Sequence, residues 1–339
     1  MKLWLLLLLS LPLAAEPAVY RDHRWESCFR RSQGWNGADG AFSVPLARGE
    51  SGWLFSDTFV GSVDALGRRE PASLFLHNSW ARIPNQAPQQ ARFSSSPAFR
   101  EVGHEWYWVY QPLLGPSGVG YVLLGRFGNA PGEAGWNFAQ KGTDLIQLDW
   151  SDETPRVLQR WPLPHFRSSP HPLHFGSALF EHEGYVYVYG SLDQGMAKPL
   201  VVARAPAALE DFAGWRFWNG RSWGQRPEDC ATVVKEGANE FSVYPYKHEF
   251  RLLAQVGAEI RLHRSSRPEG PWSEAVVLFR TPESQRPGVL TYNAKAHPQL
   301  GWPLLITYNV NAFPPDLVMQ EADLYRPRCL RLRQDPWLP

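Results

Sequence analysis

Short apolar runs separated by polar turns make up most of the chain. Typical runs are GWLFSDTF, WYWVYQPLL, YVYVYGS and PLLITYNV, with Gly, Pro, Asn or Ser between them. Short runs rich in β-branched and aromatic residues are typical of strands. Apolar residues nowhere keep a helical spacing over three turns, and only APAALEDF, from Ala205 to Phe212, fits two turns of helix. The pattern predicts an all-β fold, either a sandwich, a barrel or a propeller.

A repeated hairpin plan favours the propeller among these folds. Each copy has a polar residue, a strand of small residues, a turn and an apolar strand. Clear copies begin at Ala38, Phe175, Asn239 and Tyr292, and a weaker copy begins at Gly103. A second hairpin with a tryptophan follows several copies, which makes four strands per unit. About five such units predict a five-bladed β-propeller with four-stranded antiparallel blades around a central channel, and chance similarity within a sandwich is the alternative.

The propeller prediction gathers polar residues at one end of the channel. The first strand of each blade lines the channel, so its leading residues face one mouth. Antiparallel pairing also places the start of one strand beside the end of the next, so Asp57 after GWLFS should share this rim. The polar residues that open the repeats are Asp39, the region of His104 and Glu105, His174, Glu240, and Asn293 with Lys295.

The chain begins with the pattern of a secretory signal peptide. MKLWLLLLLSLPLAAEP has a basic start, an apolar stretch and small residues. The apolar stretch is too short to cross a bilayer comfortably, and a retained anchor helix is the alternative. We expect cleavage after Ala15, which makes residues 1–15 the signal peptide and residues 16–339 a single propeller domain. The expected location is secreted or periplasmic, with no membrane span after cleavage.

Charge and cysteine content narrow the class of partner. The net charge is +1, and without Lys2 the 34 basic residues become 33, against 33 acidic residues. A balanced chain without a basic run argues against nucleic acid and anionic membranes, so we expect a small neutral or flat hydrophobic partner and a monomer. Cys28, Cys230 and Cys329 fit no metal knuckle, and in an exported protein they allow one disulfide whose pairing stays open.

Several motifs stand in the order found in a known family. They are GWNGADGAFSVPL, GWLFSDTFVG, LHNS, WYW, GPWSEAVVLFRTPE and YNAKAHPQLG with LLITYNVN. In these motifs the chain resembles, over roughly residues 34–333, a family of exported bacterial and fungal proteins long catalogued as a domain of unknown function. The resemblance implies a five-bladed propeller related to the arabinanase and furanosidase propellers. Some of those relatives are endo-D-arabinanases.

The resemblance implies that Asp39 in GADG and Asp57 in FSDTF are the catalytic carboxylates. Glycoside hydrolysis needs two carboxyl groups flanking the bond, one to protonate the leaving oxygen and one to activate water or attack the sugar carbon. Glu240 opens its repeat as Asp39 opens the first, so it is the candidate third acid or proton donor. The structural alternatives are a turn aspartate, a strand-end cap and a solvated glutamate.

One departure from the family pattern weighs against activity. Relatives often carry an aspartate shortly after WYW, where this chain has Val109, Tyr110 and Gln111. If that acid takes part in binding or catalysis, its absence favours a protein that binds carbohydrate without cleaving it.

Substrate-binding residues are expected near these acids. The closest aromatic residues are Trp35, Trp106 and Trp108, whose rings offer faces on which a sugar can stack. His171 and His174 lack further ligands at zinc spacing, so no metal or other cofactor is expected, and a structural ion in the channel stays open. The remaining candidates are His77 and Asn78 in LHNS, His174 at a blade start, and Asn293, Lys295 and His297 in NAKAH.

These features predict a secreted glycoside hydrolase that cleaves an arabinan-like or other furanose-rich polysaccharide or oligosaccharide. Its paired carboxylates are expected at the channel mouth. The competing interpretation is a carbohydrate-binding propeller without catalysis, and the third is a scaffold for protein partners. The chain has no G-x-S-x-G elbow, phosphate-binding glycine loop or H-E-x-x-H motif, which argues against the corresponding enzyme classes.

Overall fold

Five antiparallel sheets follow one another along the chain and form the blades of a propeller. The computed structural model describes residues 18–132, 137–168, 171–195 and 198–337, and the predicted signal peptide lies outside them. The predicted all-β, five-bladed β-propeller is confirmed. No helix among the described residues is long and apolar enough to cross a membrane.

The strands fall into blades in chain order, after a short strand and helix, β1 (Val19–Arg21) and α1 (His23–Cys28). Blade 1 contains β2 (Gln33–Pro45), β3 (Glu50–Ser62), β4 (Leu74–Leu76), β5 (Ser79–Pro84) and β6 (Arg92–Phe93). Blade 2 contains β7 (Trp106–Leu114), β8 (Val119–Asn129), β9 (Phe138–Asp149) and β10 (Arg156–Pro162). Blade 3 contains β11 (Arg167–Ser168), β12 (His171–His182), β13 (Tyr185–Leu192), β14 (Leu200–Ala205), β15 (Arg216–Trp218) and β16 (Trp223–Gly224).

The last two blades complete the ring. Blade 4 contains β17 (Phe241–Tyr246), β18 (Glu249–Val256), β19 (Glu259–Ser265) and β20 (Val276–Arg280). Blade 5 contains β21 (Val289–His297), β22 (Leu304–Ala312) and β23 (Arg328–Leu332), with α2 (Asp316–Gln320) in the connection before β23. Short 3-10 turns lie at Ala47–Gly49, Pro88–Gln90, Phe212–Gly214, Pro227–Asp229, Pro282–Gln285, Pro298–Leu300 and Ala322–Tyr325.

The helix predicted from Ala205 to Phe212 is wrong. Strand β14 extends to Ala205, and only the 3-10 turn Phe212–Gly214 follows. Pro206 has no N–H to contribute to a helix. The carbonyl of Leu209 accepts a hydrogen bond from the indole Nε1 of Trp215 at 2.9 Å. The segment is therefore a turn that anchors a buried tryptophan.

Apolar residues on both faces of the central strands of the blades pack between neighbouring blades. Strand β13 is buried from Val186 to Leu192, so its Val and Tyr residues contact the blades on both sides. One core cluster joins blades 1, 2 and 3 through Phe42, Val109 and Phe175. Further clusters lie between blades 3 and 4, between 4 and 5, and between 5 and 1. This packing fixes the five inner strands around the channel.

The N-terminal strand closes the ring. Strand β1 pairs antiparallel with β23, with Val19 opposite Leu332 and Arg21 opposite Leu330. Blade 5 is thus built from both ends of the described chain, with β1 as its outer strand. Arg21 adds ion pairs to Glu26 of α1, at 3.3 Å, and to Glu283. Residues 19–21 are therefore held by backbone and side-chain contacts.

The expected disulfide is absent. Cys28, Cys230 and Cys329 all lie in the described part of the chain as buried free thiols. Burial raises the pKa of each thiol, so none of them is activated as a nucleophile. Cys28 and Cys329 belong to one apolar cluster at the junction of blades 5 and 1, where they pack as small hydrophobic residues.

Four of the five inner strands carry a register shift. Strand β2 has three shifts between Trp35 and Phe42, and the others lie between Val109 and Pro112 in β7, Phe175 and Ala178 in β12, and Tyr292 and Lys295 in β21. Bulges re-aim side chains and often lie beside active sites. The fifth inner strand, β17, begins immediately after Glu240.

Candidate active site at the channel mouth

Asp39 on β2 and Asp57 on β3 meet at a register shift of the hairpin, where the single residue Asp39 faces the two residues Ser56 and Asp57. Ala38 pairs with Thr58 and Gly40 pairs with Phe55, so the two aspartates occupy the same level of the hairpin, as its length predicts. Strand β3 continues to Ser62, past Asp57, which was predicted to follow the strand. Gly40 has φ +86°, and a Cβ there would lie 3.1 Å from the backbone N of Ser56. A glycine therefore permits the bulge that presents Asp39.

Hydrogen bonds from the neighbouring blade orient the Asp39 carboxyl group. Its Oδ1 accepts from the backbone N–H of Gly40 at 2.6 Å and from Nδ2 of Asn293 at 3.1 Å. Its Oδ2 accepts from the hydroxyl of Tyr292 at 2.9 Å. Asn311 donates to that hydroxyl oxygen at 3.3 Å, so the tyrosine proton is directed at Asp39. Asn293 has φ +59°, which places it at the bulge of β21.

Asp57 joins blade 1 to blade 2. Its Oδ1 accepts from the indole Nε1 of Trp108 at 2.8 Å, and Nδ1 of His77 lies 2.9 Å from the same oxygen. Oδ2 has no hydrogen-bond partner among the described residues. The side chain of Asp57 is 17% exposed. One oxygen is therefore held by two blades, and the other is free to meet a water molecule or a substrate.

Glu240 forms an ion pair with the buried Lys295. The ammonium group also donates to the carbonyls of Gly40 and Asn293, each at 3.3 Å, and lies 4.2 Å from the ring centroid of Phe42. These contacts join blades 4, 5 and 1 beneath the mouth. The pair thereby holds one negative charge close to Asp39.

The three acids form one electrostatic group. Burial, together with the charges of Glu240 and Asp57, raises the pKa of Asp39 to about 7, and the Tyr292 hydrogen bond and the Lys295 charge oppose this rise. Burial also raises the pKa of Asp57 against the hydrogen bonds from His77 and Trp108. A carboxyl group that titrates near neutral pH can hold a proton and give it up, as a general acid must.

The predicted aromatic residues of blade 2 lie above this mouth. Trp106 stacks on the ring of His77, with centroids 4.6 Å apart and planes at 19°. Trp108 packs on Phe127 at 4.2 Å while its indole N–H faces Asp57. Both tryptophans and His77 keep part of their surface exposed. The structure therefore brings all three together beside Asp57, where blades 1 and 2 meet.

His174 lies on the inner strand of blade 3, just before its bulge. Its Nε2 is 3.5 Å from a carboxylate oxygen of Asp193, which also forms an ion pair with Lys198. The hydrogen bond from His174 and the charge of Lys198 hold the pKa of Asp193 well below its usual range. The side chain of His174 is 17% exposed and borders the channel, and its Nε2 already contacts Asp193.

Two predicted substrate contacts are core residues instead. Trp35 is 1% exposed and stacks on Phe93 at 4.5 Å, which leaves no ring face for a sugar. His297 is 1% exposed and lies between Ser43, 2.6 Å from its Nδ1, and Thr307, 2.8 Å from its Nε2. Burial lowers the pKa of His297 well below its usual value, so it stays neutral. Both predictions are corrected.

Asn78 and Lys295 are also buried, each 1% exposed. The Asn78 amide donates to the carbonyls of Phe99 and Tyr107 and accepts from the N–H of Phe99 at 2.8 Å. All its hydrogen-bonding groups are thus used within the protein. Lys295 reaches Glu240 instead of the open mouth. Both side chains position the site without offering a surface to a substrate.

Blade 2 presents different residues from those predicted. His104 and Glu105 precede β7, and Glu105 pairs with Arg126 at 2.6 Å. The bulge lies roughly 20 Å further along the strand and carries Tyr110 and Gln111. Gln111 donates to the carbonyls of Ser43 and Pro112 at 2.8 and 3.0 Å. Blade 2 therefore contributes an amide, and not a carboxylate, at its bulge.

Tyr292 is a candidate site residue that sequence reasoning missed. It opens the NAKAH motif one position before Asn293, and it is the only tyrosine of the described chain for which a hydrogen bond to one of the candidate acids is observed. Its place at the first position of a repeat was the available signal. Among the described residues, no group of three or more His, Cys, Asp or Glu side chains is arranged to hold a metal ion.

Comparison with known proteins gives the chain a family. A family profile described as "Domain of unknown function (DUF5005)" matches residues 22–337. No curated protein matches the chain in sequence. The family match covers all five blades and both aspartates.

Solved structures share the fold. A candidate hydrolase from Bacteroides ovatus has a TM-score of 0.74 and 22% identity, over 92% of this chain and 89% of that one. The GH43_1 enzyme from Xanthomonas citri, complexed with xylose, has a TM-score of 0.51 and 12% identity, over 90% and 92%. An exo-β-1,3-galactanase from Phanerochaete chrysosporium, complexed with β-1,3-galactotriose, has a TM-score of 0.51 and 11% identity, over 88% and 62%. The chain thus has the propeller fold of family 43 glycoside hydrolases.

Proposed function

This chain belongs to the family described as Domain of unknown function (DUF5005), and from that premise we propose that it is a glycoside hydrolase of furanose-rich polysaccharides. The observation that carries the proposal is the Asp39 carboxyl group, whose pKa is raised to about 7 opposite a second carboxyl group, Asp57. Two carboxyl groups on facing positions are what glycosidic cleavage requires.

Asp39 acts as the general acid. Its proton passes to the glycosidic oxygen as the bond between that oxygen and the anomeric carbon breaks. Tyr292 and Asn293 hold the carboxyl group in place, so little reorganisation is needed at that moment.

Asp57 is the partner carboxylate. Its free Oδ2 either takes a proton from the attacking water or attacks the anomeric carbon, and the separation of the two carboxyl groups decides between these courses. Glu240 keeps a negative charge beside Asp39, which favours the protonated form of the acid. The ammonium group of Lys295 forms an ion pair with Glu240.

Family resemblance supports the choice of sugar class. The first-blade motifs resemble those of endo-D-arabinanases, and the propeller is shared with enzymes that were crystallised with xylose and with a galactotriose. An arabinan-like polymer is therefore the substrate we propose. The predicted signal peptide supports a secreted or periplasmic location.

A carbohydrate-binding propeller without catalysis is the second candidate, and one observation favours it. Gln111 occupies the bulge of blade 2, in the segment where relatives often carry an aspartate, and its amide is bound to the backbone. If cleavage needs a carboxylate from this blade, the chain binds its sugar and releases no product.

A polysaccharide panel separates the two candidates. The purified protein is incubated with arabinans, arabinogalactans and fructans, beside Asp39→Asn and Asp57→Asn. The hydrolase predicts new reducing ends from the native protein, a loss of at least about a hundredfold in either variant, and binding that persists in both. Binding by all three proteins without product from any supports the second candidate and overturns the first.

A further inference from the structure

A run of aromatic rings leads outward from Asp57. His77, whose Nδ1 contacts Asp57, stacks on Trp106, and Phe75 of β4 meets His77 edge-on with centroids 5.7 Å apart and planes at 89°. We call Trp106, His77 and Phe75 the aromatic run. Because His77 is part of the aromatic run and also contacts Asp57, the run is continuous with the carboxylate site.

The outer end of this run is open to solvent. Phe75 is 47% exposed and its neighbour Leu74 is 59% exposed, although most large apolar side chains of the described chain are buried. They lie on a three-residue strand that pairs only with Thr58–Val60 of β3. Phe59 packs on Phe75 at 5.0 Å and is itself covered by the guanidinium group of Arg69 at 4.5 Å. Phe59 therefore supports the run from below, and Phe75 supplies its exposed surface.

We propose that the aromatic run is a subsite for a further sugar unit of the same polysaccharide chain, next to the unit whose bond is cleaved. This inference rests on the proposed function and specifies its substrate as a chain of several units. A sugar ring carries patches of C–H groups with partial positive charge, and the face of an aromatic ring is negative. The polar edges of His77 and Asp57 lie where the sugar hydroxyl groups of the inner unit would meet them.

Phe75 lies to one side of the carboxylate site. It pairs with Phe59 of β3, two positions along that strand from Asp57, and its ring centroid lies 5.7 Å from that of His77. A single sugar unit at the carboxylates leaves Phe75 uncovered, whereas a longer chain covers it. Loss of the Phe75 ring should thus weaken polymer binding and leave the binding of one sugar unit unchanged.

The test is a binding titration in the Asp39→Asn background, where turnover is stopped. Its probes are linear arabinan and methyl arabinofuranoside, which fills a single position. Phe75→Ala is expected to weaken arabinan binding roughly fivefold, the effect of about one aromatic contact, with methyl arabinofuranoside unaffected. Phe75→Tyr, which keeps the ring, should bind arabinan as the parent does. Leu66→Ala is the matched control, since Leu66 is an exposed apolar residue of the same blade, 74% exposed and outside the run.

The titration distinguishes failure of the subsite proposal from failure of the proposed function. Equal arabinan affinity of Phe75→Ala and the parent, or an equal loss in Leu66→Ala, overturns the subsite and leaves the proposed function intact. Absence of arabinan binding by the parent protein overturns the proposed substrate, and the subsite with it. Because Phe75 is exposed, its replacement should leave the melting temperature unchanged, and a parallel melting curve checks this.

Discussion

A buried carboxyl group with a pKa near 7 destabilises the folded protein once the carboxyl group is ionised. Asp39 ordinarily titrates near 3.8, and burial beside Glu240 and Asp57 raises its folded-state pKa to about 7. Folding therefore binds a proton at this position at intermediate pH. The resulting stabilisation is complete below about pH 4 and is lost as pH rises through 7. Residues that conflict with stability in this way concentrate at functional sites.

Replacement of Asp39 by Asn should stabilise the protein more as the pH rises. At pH 4 the two proteins should have nearly the same free energy of unfolding, because the Asp39 carboxyl group of the native protein is then neutral. At pH 8 the free energy of unfolding of the variant should exceed that of the native protein by roughly 1–2 kcal/mol. This difference is smaller than the pKa shift alone would give, because solvent screens part of the charge. Thermal or urea unfolding across pH 4–8 measures the difference, with the exposed Asp152→Asn as control. Parallel pH curves for all three proteins would rule out a raised pKa at Asp39.

Individual residues were predictable where a hairpin constrained them. The motifs and the strand lengths placed Asp39 and Asp57 on one rim, and the register agrees. Trp35, Asn78, Lys295 and His297 were assigned to the mouth, but they are buried because alternation along a strand does not reveal which face a polar residue takes. A buried Lys295 is stable only with Glu240 beside it, and that pairing joins positions 55 residues apart.

The bulges of the inner strands decide which side chains reach the channel. In blades 2 and 5 the bulge adds one residue to the inner strand, and in blade 3 it adds two, so the alternation of inward and outward side chains is interrupted there. In blade 2 the bulge follows Val109, and for that reason Tyr110 and Gln111 take the place expected for His104 and Glu105. Strand runs in the sequence identify the blade, but they carry no signal for the position of its bulge.

The link between blades 4 and 5 depends on Glu240. Glu240→Gln leaves the buried Lys295 without a counter-charge, which should cost of the order of 3 kcal/mol. Glu259→Gln is the matched control, because Glu259 is in the same blade and 18% exposed against 14% for Glu240. Its partners Arg261 and Arg280 are 21% and 70% exposed, whereas Lys295 is 1% exposed. This control should change the unfolding free energy by less than about 1 kcal/mol. Denaturant unfolding distinguishes them.

Similar losses in the two variants would contradict a structural role for the Glu240–Lys295 pair. A double variant, Glu240→Gln with Lys295→Met, removes both charges. It should recover part of the stability that Glu240→Gln loses, since an apolar side chain can replace a buried ion pair at little cost.

The whole molecule is closed by a strand that comes from the far end of the chain. Strand β1 pairs with β23, and Arg21 connects it to Glu26 and Glu283. Five inner hairpins repeat in the sequence, and they predicted the ring. Its closure was not predictable, because pairing between residues 19 and 332 leaves no local pattern of turn or spacing. The predicted cleavage after Ala15 keeps this strand in the mature protein.

Removal of the closing strand should weaken the ring as a unit. A chain that starts at Asp22 lacks β1 and exposes the edge of β23, so its melting temperature should fall by several degrees and its tendency to associate should rise. A chain that starts at Glu16, the first residue after the predicted cleavage, is the control. Calorimetry and light scattering measure the two effects. Identical melting of the two chains would show that β1 is not needed for closure.

The most direct test of the account is the dependence of hydrolysis on the leaving group. Rates are measured for the native protein, Asp39→Asn and Asp57→Asn on linear arabinan and on an aryl arabinofuranoside whose phenolate leaves without protonation. If Asp39 is the acid and Asp57 the partner carboxylate, Asp39→Asn loses most activity on arabinan but keeps it on the aryl glycoside, and Asp57→Asn loses both. Equal losses on both substrates in Asp39→Asn, or full activity in Asp57→Asn, would contradict the account.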